Sequence, residues 1–411
     1  MTNNTPRIST QFFADRCDLC GECLHLCPVL AWPREKAQRE FTRLVNGGAS
    51  NVLTQCTGCM ACNVLCPQDA RPHALILERW RARYLDKGIP VGGRYILPYQ
   101  EPNLFTATMA RLPEDERALV DGWRSNWQEP PKAGAMVYAG CNMLLQPFLL
   151  DSPVFDGIPV FGATELCCGE PLYRMGCRDE VRAVALHLQE EFARMHFSQL
   201  IMPCLAGYHL FKYVYKEAFG IQFDFEVIAM VDWLRDRIDS GALPVTPLNM
   251  SAVIHDSCWP KVAGDLFFDA VRELLAMLGV SVVEPAHTRE TALCCGMCAP
   301  AARFSLLDAL KAARTRLREL QEAGADLIID YCGGCSWLFY LAARTMPTRQ
   351  APPIYHLLEV VQMAAGETPA HRTQERAADV VSAMAWKILS TYYLPGRFHI
   401  DTIAGRPVER A

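Results

Sequence analysis

The chain has no apolar run approaching ~18 residues, the length a helix needs to cross a bilayer, so no transmembrane helix is expected. Its first 30 residues hold no apolar stretch with a basic front, so no secretory signal is read. Neither sign of charge dominates. The 40 Lys and Arg against 45 Asp and Glu leave a net −5, which gives no electrostatic footprint for nucleic acid. What the chain does have is length, apolar mass and thiols. Its 411 residues are 51% hydrophobic and include 19 cysteines. That length suits two to four domains at ~100–200 residues each. Clustered C-x-x-C spacings in a long chain without a signal point to metal rather than to disulfide staples.

Two four-cysteine runs open the chain: Cys17, Cys20, Cys23 and Cys27 before Pro28, then Cys56, Cys59, Cys62 and Cys66 before Pro67. This is the bacterial run that holds a 4Fe–4S cubane, present twice. Closely spaced thiolates let one short loop wrap three corners of a cube, and the fourth cysteine serves the other cube. Cys17, Cys20, Cys23 and Cys66 are therefore expected to form one ligand set, and Cys56, Cys59, Cys62 and Cys27 the other. Zinc sites use two separated C-x-x-C pairs rather than such a run. The spacing of Trp32, Ala37, Phe41, Leu44 and Val45 predicts a helix between the runs, over 33–53, and a second follows at 74–84. These give an all-α ferredoxin-like domain, residues 1–90, in which His25 and His73 are ordinary neighbours.

Residues 91–132 read as a linker, broken by Gly92, Gly93, Pro98 and Pro102, with a short helix around 112–127 that wraps a neighbouring domain. Two copies of one α/β unit follow, at 133–245 and 246–366. Each alternates short apolar runs with helical stretches, which predicts a parallel sheet in each copy. The register supports duplication: Cys167 to Cys294 is 127 positions, Cys204 to Cys332 is 128, and Asp232 to Glu359 is 127. Only the first cysteine breaks it, with 117 positions from Cys141 to Cys258. Each cysteine group lies just after an expected strand. All are thus expected at the carboxyl edge of a sheet, where ligands bind in such folds.

The second copy assembles five thiols in this way: Cys258, Cys294, Cys295, Cys332 and Cys335. The adjacent pair Cys294-Cys295 aims two sulfurs into one site, and Gly296 permits the left-handed or crowded backbone that this requires. Five thiols exceed the four that a cubane uses. The first copy has Cys141, Cys167, Cys168 and Cys204, with Gly207 where the second copy has Cys335. It holds a four-cysteine cluster or none.

Two Cys-Cys-Gly units after a paired 4Fe–4S run resemble the cysteine-rich, CCG-domain iron–sulfur proteins over residues 10–90 and 133–366. The layout is similar to the D subunit of heterodisulfide reductase, a fusion of a C-type ferredoxin part and a B-type catalytic part. The resemblance implies a noncubane 4Fe–4S cluster on Cys258, Cys294, Cys295, Cys332 and Cys335 that reduces a disulfide, fed by two cubanes. With a single complete five-cysteine set, one active noncubane cluster is expected rather than two. A further 4Fe–4S cluster at Cys141, Cys167, Cys168 and Cys204 stays open. The resemblance also extends to iron–sulfur subunits of glycolate, lactate and glycerol-3-phosphate dehydrogenases. This suggests the alternative of a relay between a flavoprotein and a quinone-reactive or membrane cytochrome subunit. Partners are thus other redox subunits and a disulfide or thiol, and the location is cytoplasmic or on the cytoplasmic face through a partner subunit. A zinc-binding scaffold is the remaining reading.

His356, at the end of the last strand, is a proton-donor candidate. His255 and Asp256 are read as hydrogen bonds that fix the turn before Cys258, with proton delivery as the alternative. Cys177 and Cys298 are read as buried free thiols, with a redox role or, for Cys298, a ligand role as the sharper alternative. Lys261 and Arg303 could offset cluster charge, with solvation the commoner fate of such residues. A helix over 378–393, with Val380, Val381, Met384, Ile388 and Leu389 on one face, docks on the protein's own core or on a partner. Trp386, Tyr392 and Tyr393 would suit an interface.

Overall fold

Glycines and prolines around the two cysteine runs keep the N-terminal helices short. In the computed structural model they are Glu22–His25, Arg34–Val45, Val52–Gln55, Ala61–Val64 and Pro72–Lys87. The structure describes residues 6–264, 266–297, 306–344, 352–391 and 396–410, excepting the side chains of 306 and 385–391. The helix expected over 33–53 stops at Val45, because Gly47 turns left-handed (φ 74°) and Gly48 follows. Ala37, Phe41 and Leu44 form its buried face. No helix among the described residues is long and apolar enough to cross a membrane.

Two four-stranded parallel sheets carry the rest of the chain. The first contains β2 (Ala135–Tyr138), β3 (Val160–Phe161), β4 (Gln199–Met202) and β5 (Glu226–Ala229), in the order β3-β2-β4-β5. β1 is the two-residue strand Ile89–Pro90, which pairs antiparallel with Arg397–Phe398 of the tail. The second sheet repeats the first with β6 (Met250–His255), β7 (Val280–Val283), β8 (Leu327–Asp330) and β9 (Ile354–His356), in the order β7-β6-β8-β9. The registers match as well: Val137 pairs with Ile201 in the first sheet and Val253 with Ile328 in the second. In each sheet the chain leaves the first strand to one side and then returns to its other side. That reversal opens a crevice at the carboxyl edge between β2 and β4, and between β6 and β8. The fold expected from the sequence, an all-α N-terminal part and two repeated α/β units, is the one observed.

The connector is more ordered than a linker. It forms the helices Leu104–Met109 and Glu114–Gln128; the second packs on β3 and buries Trp123. The C-terminal helix spans Thr373–Thr391 and lies against the helices Gly333–Ala343 and Leu104–Met109. Its buried residues include Ala377, Val380 and Ala383, while Val381 is exposed. The helix therefore docks on the protein's own core, with a face shifted from the one expected. Tyr392 and Tyr393 lie outside the described residues, as does the side chain of Trp386.

Candidate metal centres

The ferredoxin-like cysteines fall into two groups. Burial pushes the Cys23 thiol up, and the sulfurs of Cys66, Cys20 and Cys17 push it further. Burial first, then the Cys66 charge, raises Cys17; burial, then Asp18 and last Cys66, raises Cys20. In the second group burial raises Cys62, with Cys56, Cys23, Cys27 and Cys59 adding to it. The two groups thus adjoin through Cys23, Cys27 and Cys62. Buried thiols that each oppose the ionisation of the others are a set that a cationic iron–sulfide core relieves, so the residues fit such a group. His25 is occupied with the Trp32 carbonyl through Nδ1 at 2.9 Å, and His73 with Ser9 Oγ at 2.9 Å.

The second Cys-Cys-Gly turn depends on its glycine. Gly296 has φ 92°, and a Cβ there would sit 2.5 Å from the Ala309 carbonyl oxygen. The turn and the Cys332-Gly333-Gly334-Cys335 loop bring the sulfurs of Cys295 and Cys335 to 3.0 Å. Cys294 is raised by Cys295, by burial, and then by Cys59 and Cys258. Cys335 is raised by Cys295 and Cys332. Cys295 and Cys335 are thus the pair in contact, Cys258 and Cys332 act on the set through their charges, and Cys294 packs against the ferredoxin cysteine Cys59. Cys295 is held well below the usual thiol range by hydrogen bonds from Cys294 and Cys335, and by His255.

The first copy gathers its four thiols similarly. The sulfurs of Cys141 and Cys167 are 3.6 Å apart, and Cys168 is raised by Cys167, by burial and by Cys204. Where Cys335 stands in the second copy, a Cβ on Gly207 would lie 3.9 Å from Cys168 Sγ and 2.7 Å from the Met202 methyl. The two copies meet at their cysteine loops, where Gln146 Nε2 donates to the Gly333 carbonyl at 3.1 Å. Burial drives Cys204 up to about 12, and Cys332 of the other copy contributes.

Two buried cations lie between the ferredoxin part and the second copy. Arg174, just past the first Cys-Cys-Gly, donates from Nη2 to Cys258 Sγ at 3.1 Å and from Nη1 to the Gly58 carbonyl. Its guanidinium stacks 4.4 Å over the Trp259 ring. Lys261 is 2% exposed and donates to the Ala292 carbonyl at 2.5 Å. Burial and Cys59 drive Cys27 up to about 11, and the Lys261 ammonium draws it back. Lys261 is thus buried rather than solvated and takes the charge-offsetting place the sequence also allowed; the helix that carries it, Pro260–Ala263, packs on Ala61–Val64. A cleft of ≈ 350 Å³ opens at the same junction, lined by Leu30, Thr54, Thr57, Cys294, Lys311 and Thr315.

The remaining candidates have assignable places. Asp256 fixes the turn before Cys258. Burial alone would raise its carboxyl, but Arg272 and the Arg289 amide hold it below the usual range. His255 does more than fix the turn, since one of its ring nitrogens lies within 4.8 Å of the sulfurs of Cys295 and Cys335. His356 caps the helix Leu357–Ala364, accepting from the Leu358 amide through Nδ1 at 3.2 Å. Burial takes it down to about 3, and it faces a cavity of ≈ 20 Å³ whose lining contains no cysteine. Cys177 is buried, and burial raises it, with Glu180 and Asp179 rather than other cysteines as its charged neighbours. Cys298 and Arg303 lie outside the described residues. Sequence reasoning missed Arg174, Arg316 beside His255, and Tyr99, whose hydroxyl donates to the Cys167 carbonyl from the connector. None of these three carried a sequence signal; His255, which was singled out, stands where the first copy has Tyr138, three residues before Cys141.

Residues 16–71 match the 4Fe-4S dicluster domain family, and residues 252–340, the core of the second copy, match the cysteine-rich domain family CCG. The chain therefore carries a 4Fe-4S dicluster domain and a CCG cysteine-rich domain. Its relatives are redox proteins. It is 25% identical over 389 residues to the D subunit of the dihydromethanophenazine:CoB--CoM heterodisulfide reductase of Methanosarcina mazei, a match covering 82% of this chain and 92% of that one. It is 23% identical to the EtfAB:quinone oxidoreductase of Syntrophomonas wolfei, over 77% of this chain and 47% of the other. It is 21% identical to a subunit of the fumarate reductase (CoM/CoB) of Methanothermobacter marburgensis, over 78% and 66%. The chain is thus related to several oxidoreductases and their subunits.

Proposed function

We propose that this chain is a heterodisulfide reductase-like subunit. In this reading residues 1–90 hold two cubanes on Cys17, Cys20, Cys23, Cys66 and on Cys56, Cys59, Cys62, Cys27. Cys258, Cys294, Cys295, Cys332 and Cys335 hold a noncubane 4Fe–4S cluster where a disulfide or thiol substrate is reduced or oxidised. The carrying observation is Cys294, which faces Cys59 on one side and lines the open cleft on the other. Such clusters supply one-electron steps. The chain's own residues hold the parts in register: Arg174 ties the Gly58 loop to Cys258, and Lys261 keeps positive charge between Cys27 and the Leu293-Cys294 turn. The cleft size falls in the range of small-molecule sites, and its wall carries charges of both signs, Lys311 and Asp308.

A second reading makes the chain a relay between a flavoprotein dehydrogenase and a quinone-reactive membrane partner. The proximity of Cys204 to Cys332 favours it, because a cluster in the first copy would then continue the path. In both readings the partners are other redox subunits, and attachment to the cytoplasmic face of a membrane runs through one of them. Addition of a disulfide or thiol to the reduced protein decides between the two. A changed EPR signal that is lost in Cys294→Ser supports the catalytic reading, and a signal indifferent to both substrates supports the relay.

A further inference from the structure

His255 is the last residue of β6 and is 1% exposed. Arg316, itself 0% exposed, approaches its ring with Nε 3.2 Å from His255 Nδ1. Arg316 cannot swing away, because Nη1 is held by Glu319 at 2.6 Å and by the His287 carbonyl at 2.8 Å, and Nη2 by the Ile254 carbonyl at 3.3 Å. The Phe339 ring stands edge-on to the imidazole at 4.8 Å. A guanidinium donates and never accepts. Nδ1 must therefore present its lone pair, and in the neutral ring Nε2 carries the hydrogen. Nε2 is buried and has no hydrogen-bond partner of ordinary geometry. With Nδ1 engaged, it is the nitrogen left to face the Cys295 and Cys335 sulfurs, which lie within 4.8 Å of the ring.

The first copy keeps a thiol at Cys168 and a ring at Phe211, which packs on Tyr138 at 5.8 Å, but lacks the polar parts of this arrangement. Tyr138 replaces His255 and donates its hydroxyl to the Leu166 carbonyl. Gly207 replaces Cys335. The helix position 127 residues before Arg316 is Gln189, which donates to the Gln222 carbonyl. The fifth thiol and the oriented histidine occur together, in the second copy alone.

We infer that His255 is a fixed hydrogen-bond donor to the Cys295–Cys335 sulfur pair, oriented by Arg316, and is not itself a metal ligand. The inference deepens the proposed function, and its tautomer component stands independently of any cluster. It makes His255 a positioning residue: an N–H aimed at sulfur withdraws electron density and favours the reduced form of whatever those thiolates hold.

Long-range 1H–15N spectra of histidine-labelled protein, with His255 assigned through H255Q, read the tautomer. The expected result is a neutral ring protonated at Nε2; protonation at Nδ1 overturns the inference. EPR-monitored redox titration then compares wild type, H255Q and H255L. H255L is expected to shift the midpoint of the second-copy centre to a more negative potential, while H255Q, which keeps a donor, stays near wild type. All three are expected to hold the same iron. Loss of about four irons in H255L would make His255 a ligand and overturn the inference, as would three equal midpoints. A wild type that shows the Nε2 tautomer but lacks iron at the second copy would sink the proposed function and leave the hydrogen bond standing.

Discussion

Replacing Arg174 by alanine tests whether the ferredoxin part and the second copy are pinned together by a cation borrowed from the first copy. The guanidinium is 1% exposed and bonds to Glu170 Oε1 at 2.7 Å, to the Gly58 carbonyl and to Cys258 Sγ at 3.1 Å. Each hydrogen bond to a charged group contributes about 1.5–3 kcal/mol, and removing one partner leaves the others dry. Glu170 is partly exposed and recovers water, so the sum is less than three full bonds. Breaking a buried ionic contact costs about 3–5 kcal/mol, and that is the expected loss for Arg174→Ala. Arg182→Ala is the control. Its pair with Glu409 has side chains 44% and 79% exposed, and such pairs contribute at most about 1 kcal/mol. Urea titration followed by tryptophan fluorescence compares the two, and hydrogen exchange localises the effect. Arg174→Ala should lower the midpoint well below Arg182→Ala and should speed exchange at the amides of 56–59. If the two variants unfold together, within about 1 kcal/mol, the buried arginine does not hold the junction.

Gly296→Ala should cost about 1–3 kcal/mol and disturb the second site, since it needs both a left-handed φ and a Cβ 2.5 Å from Ala309 O. Gly405→Ala, with φ 79° and open space around it, should cost only about 1 kcal/mol and leave iron content unchanged. His356 has a folded pKa of about 3, below the free value of 6.5, so the unfolded chain protonates first. Its contribution is intact above pH 6.5 and is lost as pH falls toward 3, by about 2 kcal/mol at pH 5. His356→Asn keeps a side-chain cap and should flatten that part of the acid profile in urea titrations run from pH 7 to pH 5. Cys177→Ala should leave bound iron unchanged, because its charged neighbours are Glu180 and Asp179; a fall in iron would return it to the ligand set.

The ferredoxin cysteines were legible because their ligand pattern is local, a run within eleven residues each time. The repeat was legible because 127- and 128-residue offsets survive in cysteines that sit at strand ends. The cations were not. Arg174 acts 84 positions away in sequence, Arg316 reaches back 61, and Tyr99 crosses 68 to Cys167. No periodicity marks a residue whose partner is set by how two units pack. Lys261 reads two ways for the same reason: solvation is the commoner fate of a lysine three residues past Cys258 until the ferredoxin helix Ala61–Val64 is packed against its own. In the connector the short helix expected around 112–127 is present as Glu114–Gln128, held by Trp123 against β3, whereas Leu104–Met109, close after Pro98 and Pro102, was not expected.

In the proposed function the second Cys-Cys-Gly unit holds a cluster of its own beyond the two ferredoxin cubanes. Anaerobic quantitation of iron and sulfide, with EPR of the same sample, tests this most directly. About twelve irons are expected from three four-iron groups, falling to about eight in Cys294→Ser with the ferredoxin signals retained. About eight irons in the wild-type protein, unchanged by Cys294→Ser, would contradict it.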